Sequence, residues 1–309
     1  MKVKAFLTGL GLVLILSLFT SCDMVSKLET PGTVKWAGLR YSPYGVGRNN
    51  VPTNAEWQKY IETLTGPFEE SSGAFILIPG TASFDDDGTC YCSFNFKRPS
   101  GISTSGKKFY FRENDDSNGY EDFLTMCDSK GYSVWLQAEP GHNDLSEIAK
   151  VLLKKYGSHK CVKGYGIDLE WWYPIDDEDT NTGKRLDDAT AKQVVETVRS
   201  FNPDYTVFAK HWMSSYMPSK YRDGMIFVND SQGFTSSSDM ISQFTTWAKH
   251  FQGSPVFFQI GYARDQKIWE GDPLKTAQAI CNSAIEWNEE VGVIWVDFTF
   301  RTALDRYVK

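Results

Sequence analysis

The sequence is poor in the residues that build metal centres and disulfide frameworks. Four histidines and six cysteines are spread over 309 residues, and no pair of them falls at the spacing of a zinc site. After Cys22 the cysteines are Cys90, Cys92, Cys127, Cys161 and Cys281, an odd number. Cys90 and Cys92 would face the same side of a strand, too close together to pair comfortably. The spacing therefore assigns neither a disulfide nor a metal, and no cofactor is expected. His142, His159, His211 and His250 read as surface or hydrogen-bonded residues. Positive charge is scarce as well: 32 Lys and Arg stand against 39 Asp and Glu, a formal net charge of −7. That excludes nucleic acid, whose phosphates call for a basic surface. It also excludes docking on anionic lipid by charge alone. Neither internal repeats nor low-complexity segments occur.

Nor is there a membrane-spanning run. The apolar stretch Ala5–Phe19 is shorter than the roughly 20 residues a spanning helix needs. Lys2 and Lys4 precede it and Thr20-Ser21-Cys22 ends it, the layout of a signal peptide. The small residues before Cys22 resemble the lipobox of bacterial lipoproteins, in a loose form, with Leu18 four residues before the Cys. The resemblance implies an exported chain, on the periplasmic or cell-surface side of the envelope, held to a membrane by lipid on Cys22. Residues 1–21 are then signal peptide, 22–33 a polar tether and 34–309 one domain. Losing Lys2 and Lys4 with the signal takes the formal charge from −7 to −9.

Within that domain, strand and helix patterns alternate. Predicted strands are Val34–Leu39, Ala74–Ile78, Ser133–Ala138, Gly164–Leu169, Tyr205–Ala209, Met225–Val228, Pro255–Ile260 and Gly292–Asp297. Predicted helices between them are Ala55–Thr65, Tyr120–Lys130, Ser146–Tyr156, Ala189–Phe201, Ser237–Phe251 and Pro273–Glu289. Short apolar strands, most followed by a helix, predict an α/β fold, a (β/α)8 TIM barrel. An open doubly wound sheet is the runner-up, weakened because no glycine-rich turn follows the first strand. Thr81–Asp116 breaks the alternation with two β-like runs, Cys90–Phe96 and Lys107–Arg112. It reads as a β-hairpin insertion after the second strand, about 81–116.

Two motifs are decoys. Gly101 to Lys107 imitates a phosphate-binding loop, but Lys108 stands where Ser or Thr must hold magnesium. Asp177 to Asn181 begins like a calcium loop, but Gly183 arrives one residue late and no entering helix precedes it.

The chemistry concentrates in Gly164-Tyr-Gly-Ile-Asp168-Leu-Glu170-Trp-Trp172-Tyr-Pro174. Alternation along a strand puts Ile167, Leu169 and Trp171 on one face and Asp168, Glu170 and Trp172 on the other. The aliphatic face belongs under the helices, with Trp171 filling that layer, so both carboxylates point into the barrel near its C-terminal mouth. Paired buried acids are poor structural elements, and each pushes the other's pKa up. Gly166, Ile167, Asp168, Tyr173 and Pro174 match the fourth-strand signature of glycoside hydrolase family 18, the chitinase-like barrels, which this segment resembles over about ten residues. Tyr165 replaces the family's first Asp, Glu170 its third and Trp172 its catalytic Glu. In the family that Glu protonates the glycosidic oxygen and the preceding Asp orients the substrate's acetamido group. The resemblance therefore implies either that Glu170 has become the acid or that the barrel no longer cleaves sugars.

Polar groups recur at other strand ends, where barrel enzymes build their sites. Gln137 and Glu139 lie in phase with Trp135, and Trp295 with Asp297. The first strand ends in Arg40-Tyr41, the fifth in Lys210-His211-Trp212, and the seventh offers Gln259 and then Tyr262. A mouth of Trp and Tyr suits sugar rings. The expected catalytic residues are Glu170, Asp168, Glu139 and Asp297. The expected substrate-binding residues are Arg40, Tyr41, Gln137, Trp172, Lys210, Trp212, Gln259, Tyr262 and Trp295. Asp297 has an alternative role as structural partner of Arg40. The expected function is a glycoside hydrolase of an extracellular or envelope oligo- or polysaccharide. The alternatives are a lectin-like protein that kept the groove, or a structural envelope protein whose mouth the insertion plugs.

Overall fold

A computed structural model describes residues 26–46, 50–112, 119–175 and 183–308. Cys22, the signal segment and the Asp177 acidic loop lie outside the described residues. The chain forms a closed barrel of eight parallel strands: β1 (Thr33–Tyr41), β2 (Ser72–Phe84), β5 (Ser133–Ala138), β6 (Val162–Asp168), β7 (Thr206–Lys210), β8 (Met225–Asn229), β9 (Val256–Ile260) and β10 (Glu290–Trp295). Each pairs with its successor, and β1 closes the ring by pairing with both β2 and β10. The predicted (β/α)8 barrel is the observed fold.

The helices start where side chains satisfy the free amides of a first turn. Thr53 and Glu56 form a reciprocal capping box at α1 (Asn54–Thr65), and Asp144 caps α3 (Leu145–Tyr156). Trp57, Tyr60, Ile61 and Leu64 make one buried stripe on α1, the spacing of a helix face laid on a sheet. The barrel interior holds a separate apolar cluster that includes Trp36, Ile76, Trp135, Phe208, Ile226, Phe257 and Ile294. Trp36, Trp135 and Phe257 meet edge-on in pairs, with centroids 5.2–5.5 Å apart. Each such contact adds about 0.5–1.5 kcal/mol to simple burial. Glycines make room for these rings: a Cβ on Gly166 would sit 2.1 Å from Phe208, and one on Gly292 2.4 Å from Phe257.

This packing reverses the predicted faces of the last strand. Gly292 and Ile294 point inward, because the aromatic rings leave no volume there for another indole. Trp295 turns outward instead, meets Trp269 edge-on at 5.4 Å and donates from its indole N–H to Thr299 Oγ1 at 3.0 Å. Tyr41 likewise faces the helix layer, against Trp57, Tyr120 and Phe123.

The insertion is built differently from a hairpin of its two β-like runs. β2 itself continues to Phe84 and returns antiparallel as β3 (Cys90–Phe94), while β4 (Phe109–Phe111) adds parallel to β3. The ribbon is tied to the loop after β5, where Glu139 N–H donates to Gly80 O and His142 N–H to Cys90 O. It walls one side of the barrel mouth without plugging it.

Candidate active site

At the C-terminal end of the barrel a cavity of about 700 Å³ is lined by Arg40, Tyr44, Glu139, Asp168, Glu170, Trp171, Lys210, Asp230, Tyr262 and Phe298, with Ala82 to Phe84 of the insertion as a wall. Its centre is Lys210. The register of β6 and β7 sets Asp168 directly beside Lys210, and Lys210 Nζ lies 3.1 Å from Asp168 Oδ1. The same ammonium bonds Glu170 Oε1, and Asp230 Oδ2 at 2.5 Å. Burial alone would lower the Lys210 pKa, but Asp168, Asp230 and Glu170 outweigh it and hold the group firmly cationic. A Schiff-base lysine needs the opposite shift, so imine chemistry is not what this lysine is set up for.

The carboxyls divide by environment. Burial, then Asp230, raises the Glu170 pKa well above the usual range. Asp230 is pushed up by burial, but Lys210 and a hydrogen bond from Glu170 more than offset this and leave it low. Of this adjacent pair, Glu170 is thus pushed toward its protonated form and Asp230 toward its ionised form. Asp168, raised to about 6 chiefly by burial, accepts from Gln137 Nε2 at 3.0 Å. Glu139, raised to about 7 by burial and then by Asp168, accepts from Tyr44 Oη at 2.6 Å and from Ala82 N at 2.7 Å.

A second ion pair closes the rim between β1 and the end of β10. Arg40 Nε donates to Asp297 Oδ1 at 2.8 Å, and Ser42 binds the other oxygen through its amide at 2.6 Å and its hydroxyl at 2.7 Å. Asp297 is therefore occupied as a structural partner of Arg40 and does not line the cavity. The Arg40 guanidinium lies 4.4 Å over Phe298, which is half-exposed at the mouth.

The expected residues are thus brought together in part. Arg40, Glu139, Asp168, Glu170, Lys210 and Tyr262 line one cavity. Gln137 and Gln259 sit beneath it, Gln259 donating to Tyr262 Oη at 2.5 Å. Tyr41, Trp172, Trp212 and Trp295 do not line it. For Trp172 the reason is local: β6 ends at Asp168 and a 3₁₀ turn, Leu169–Trp171, follows. Alternation stops there, so Trp171 comes to the cavity. Trp172 is buried, its indole N–H on Asn143 O at 3.1 Å. Trp212 stacks on His211, which itself stacks on Tyr216.

Asp230, Tyr44, Trp171 and Phe298 complete the cavity without having been expected there. Only Asp230 had a readable signal, since it stands in phase with the inward Ile226 and Val228 of β8.

No model of a known protein family matches the sequence, and no curated protein matches it. Among solved structures it is similar to β-glucuronidase from Parabacteroides merdae, with TM-score 0.46 and 9% identity over 85% of this chain and 31% of that one. It is similar to β-1,4-D-mannanase from Cryptopygus antarcticus, with TM-score 0.45 and 12% identity over 88% of this chain and 89% of that one. A third is β-D-glucuronidase from Dictyoglomus thermophilum, with TM-score 0.45 and 13% identity over 86% and 44% of the two chains. The chain thus spans less than half the length of either glucuronidase. At these scores the likenesses say nothing about substrate or catalytic residues.

Proposed function

We propose that the chain is a glycoside hydrolase of an extracellular or envelope glycan, held to the bacterial envelope by lipid on Cys22. The observation that carries this reading is Glu170, a buried carboxyl held by Lys210 at the edge of a cavity with aromatic walls and biased by burial and Asp230 toward its protonated form. Such a group can protonate a glycosidic oxygen. Glu139 is the second carboxylate, because it faces the same cavity whereas Asp297 is taken up by Arg40 and Ser42. With its pKa near 7, it becomes a base or nucleophile as the pH passes neutrality. Trp171, Tyr44, Tyr262 and Phe298 supply faces on which pyranose C–H groups stack.

Hydrolysis of a glycan panel by the purified protein tests this. Turnover by the wild type, lowered by two or more orders of magnitude in Glu170→Gln, is the expected result. A mutant with wild-type activity removes Glu170 from its role.

One observation favours a second reading, a sugar-binding protein without catalysis. The residue at the position of the family 18 acid, Trp172, is buried away from the cavity. Retention on a glycan array with no turnover of the retained sugar selects that reading.

A further inference from the structure

On the face of the barrel opposite the cavity, α2 (Glu121–Lys130) ends beside the residues that lead into β6. His159 is held there between two carboxylates, with Nδ1 2.8 Å from Asp128 Oδ2 and Nε2 2.8 Å from Glu121 Oε2. Asp128 Oδ1 accepts the Cys161 amide at 2.7 Å, and the Cys161 thiol lies 3.5 Å from Leu124 O. One ligand atom each from Asp128, His159 and Cys161 can be chosen so that all lie within 4.8 Å of one another. Cys127 is on the last turn of α2, next to Asp128 in the chain, but its thiol does not join that group of three.

We propose that Asp128, His159 and Cys161 form a site for a divalent transition-metal ion, zinc by preference, with solvent in the fourth position. The protein's donor set is one sulfur, one imidazole nitrogen and one carboxylate oxygen, all ligand types that zinc takes in tetrahedral sites. Ligand atoms at about 2.0–2.3 Å from such an ion stand roughly 3.3–3.8 Å apart. To take the ion in, the 2.8 Å His159–Asp128 contact must open by about 0.5 Å, while the Cys161 sulfur already lies within 4.8 Å of both.

The surroundings already hold what a metal-binding histidine needs behind it. Such a histidine passes its other ring N–H to a carboxylate, which fixes the tautomer and aims the ligating nitrogen. Glu121 occupies that position on Nε2, and Lys155 Nζ holds Glu121 in turn at 2.9 Å. The Nδ1 side then faces Asp128 and Cys161. Binding replaces the direct Nδ1–Asp128 contact by two bonds to the ion, and the Cys161 thiol proton and any proton on Nδ1 pass to solvent as those atoms ligate. Cys161 is buried and Asp128 belongs to α2, so the metal would pin α2 to the start of β6 without reaching the cavity.

The ligands are not readable from spacing, because α2 supplies Asp128 while His159 and Cys161 follow α3, some thirty residues on. The alternative occupant is a proton: a charged His159 bridging Glu121 and Asp128 satisfies the same groups.

Titration of the reduced, metal-free protein with Co²⁺ separates the two. The expected result is a thiolate-to-cobalt charge-transfer band with intensified visible bands, saturating at one ion per chain and displaced by zinc. Cys161→Ser removes the charge-transfer intensity attributable to that sulfur, and His159→Gln weakens binding. Glu121→Gln, a positioning change, lowers affinity about 10–100-fold, while the distant Cys281→Ser leaves the spectrum unchanged. Absence of the band in the wild type overturns the proposal, as does a band indifferent to Cys161→Ser. A Cys127–Cys161 disulfide persisting in the isolated protein, read as the loss of two hydrogens in its intact mass, overturns it equally.

Discussion

Glu139 and Glu170 are glutamates at one cavity, and burial raises both, yet their neighbours give them different work. Asp230 beside Glu170 favours its protonated form, and Lys210 fixes the carboxyl. Glu139 has Tyr44 and Ala82 donating to one oxygen, and Asp168 nearby to resist its charge. Its folded pKa of about 7 lies above the unfolded value of about 4.3. Between those values the folded state binds the extra proton, so its stabilising contribution is present below about pH 4 and is lost as pH rises toward about 7. The size is of order 3 kcal/mol. Asp168, raised to about 6, acts in the same direction, and Asp230, held low, in the opposite one. Glu139→Gln cannot ionise. Urea unfolding at about pH 5 and pH 8 should therefore show the stability difference moving in the variant's favour at the higher pH. A difference independent of pH would place the Glu139 pKa near its ordinary value.

At the scale of elements, the interior is a fit between wide rings and missing side chains. Gly166 on β6 faces Phe208 on β7, and an added Cβ would lie 2.1 Å from the ring. Gly166→Ala should cost about 1–3 kcal/mol by overpacking, and Phe208→Leu in the same chain should recover part of it, since the pair shares one volume. Additive losses in thermal unfolding would mean that the two do not meet. The same fit explains what could be read in advance. Ser133–Ala138 is found with its predicted bounds, because its apolar run and inward Trp135 and Gln137 obey simple alternation. Alternation failed at the last strand, where the volume left by Trp135 and Phe257 chose Gly292 and Ile294 over Trp295 as inward residues. It failed again after Asp168, where a 3₁₀ turn exchanged Trp171 for Trp172. Both failures come from contacts between strands, which a pattern within one strand does not contain. Asp230 was legible, because continuing β8 two residues past Val228 reaches it in phase. Tyr44 and Phe298 arrive from loops, where no period exists to follow.

For the whole molecule, the cavity opens at one end of the barrel, and the proposed anchor belongs to the other. Residues 26–32 run along that end: Gln252 Nε2 donates to Ser26 O at 2.7 Å, Lys27 pairs with Glu286 at 2.7 Å, and Gly32 N–H donates to Ile285 O at 2.7 Å. Cys22 precedes Ser26 by four residues, a span of at most about 14 Å when fully extended. A lipid on Cys22 would thus hold this face close to the bilayer and turn Glu170 and its cavity toward the surroundings, where a polymeric sugar can enter. The described cysteines are all buried, so one introduced surface cysteine takes a label selectively. Ile175 is exposed beyond β6 at the mouth and Phe201 after α4 (Asp188–Arg199) at the opposite end. With lipidated protein in vesicles, a fluorophore on Phe201→Cys should be strongly quenched by headgroup-linked nitroxide, and one on Ile175→Cys barely. Equal or reversed quenching would sink the orientation. Cys22→Ser protein that still sediments with the vesicles would sink the anchor itself.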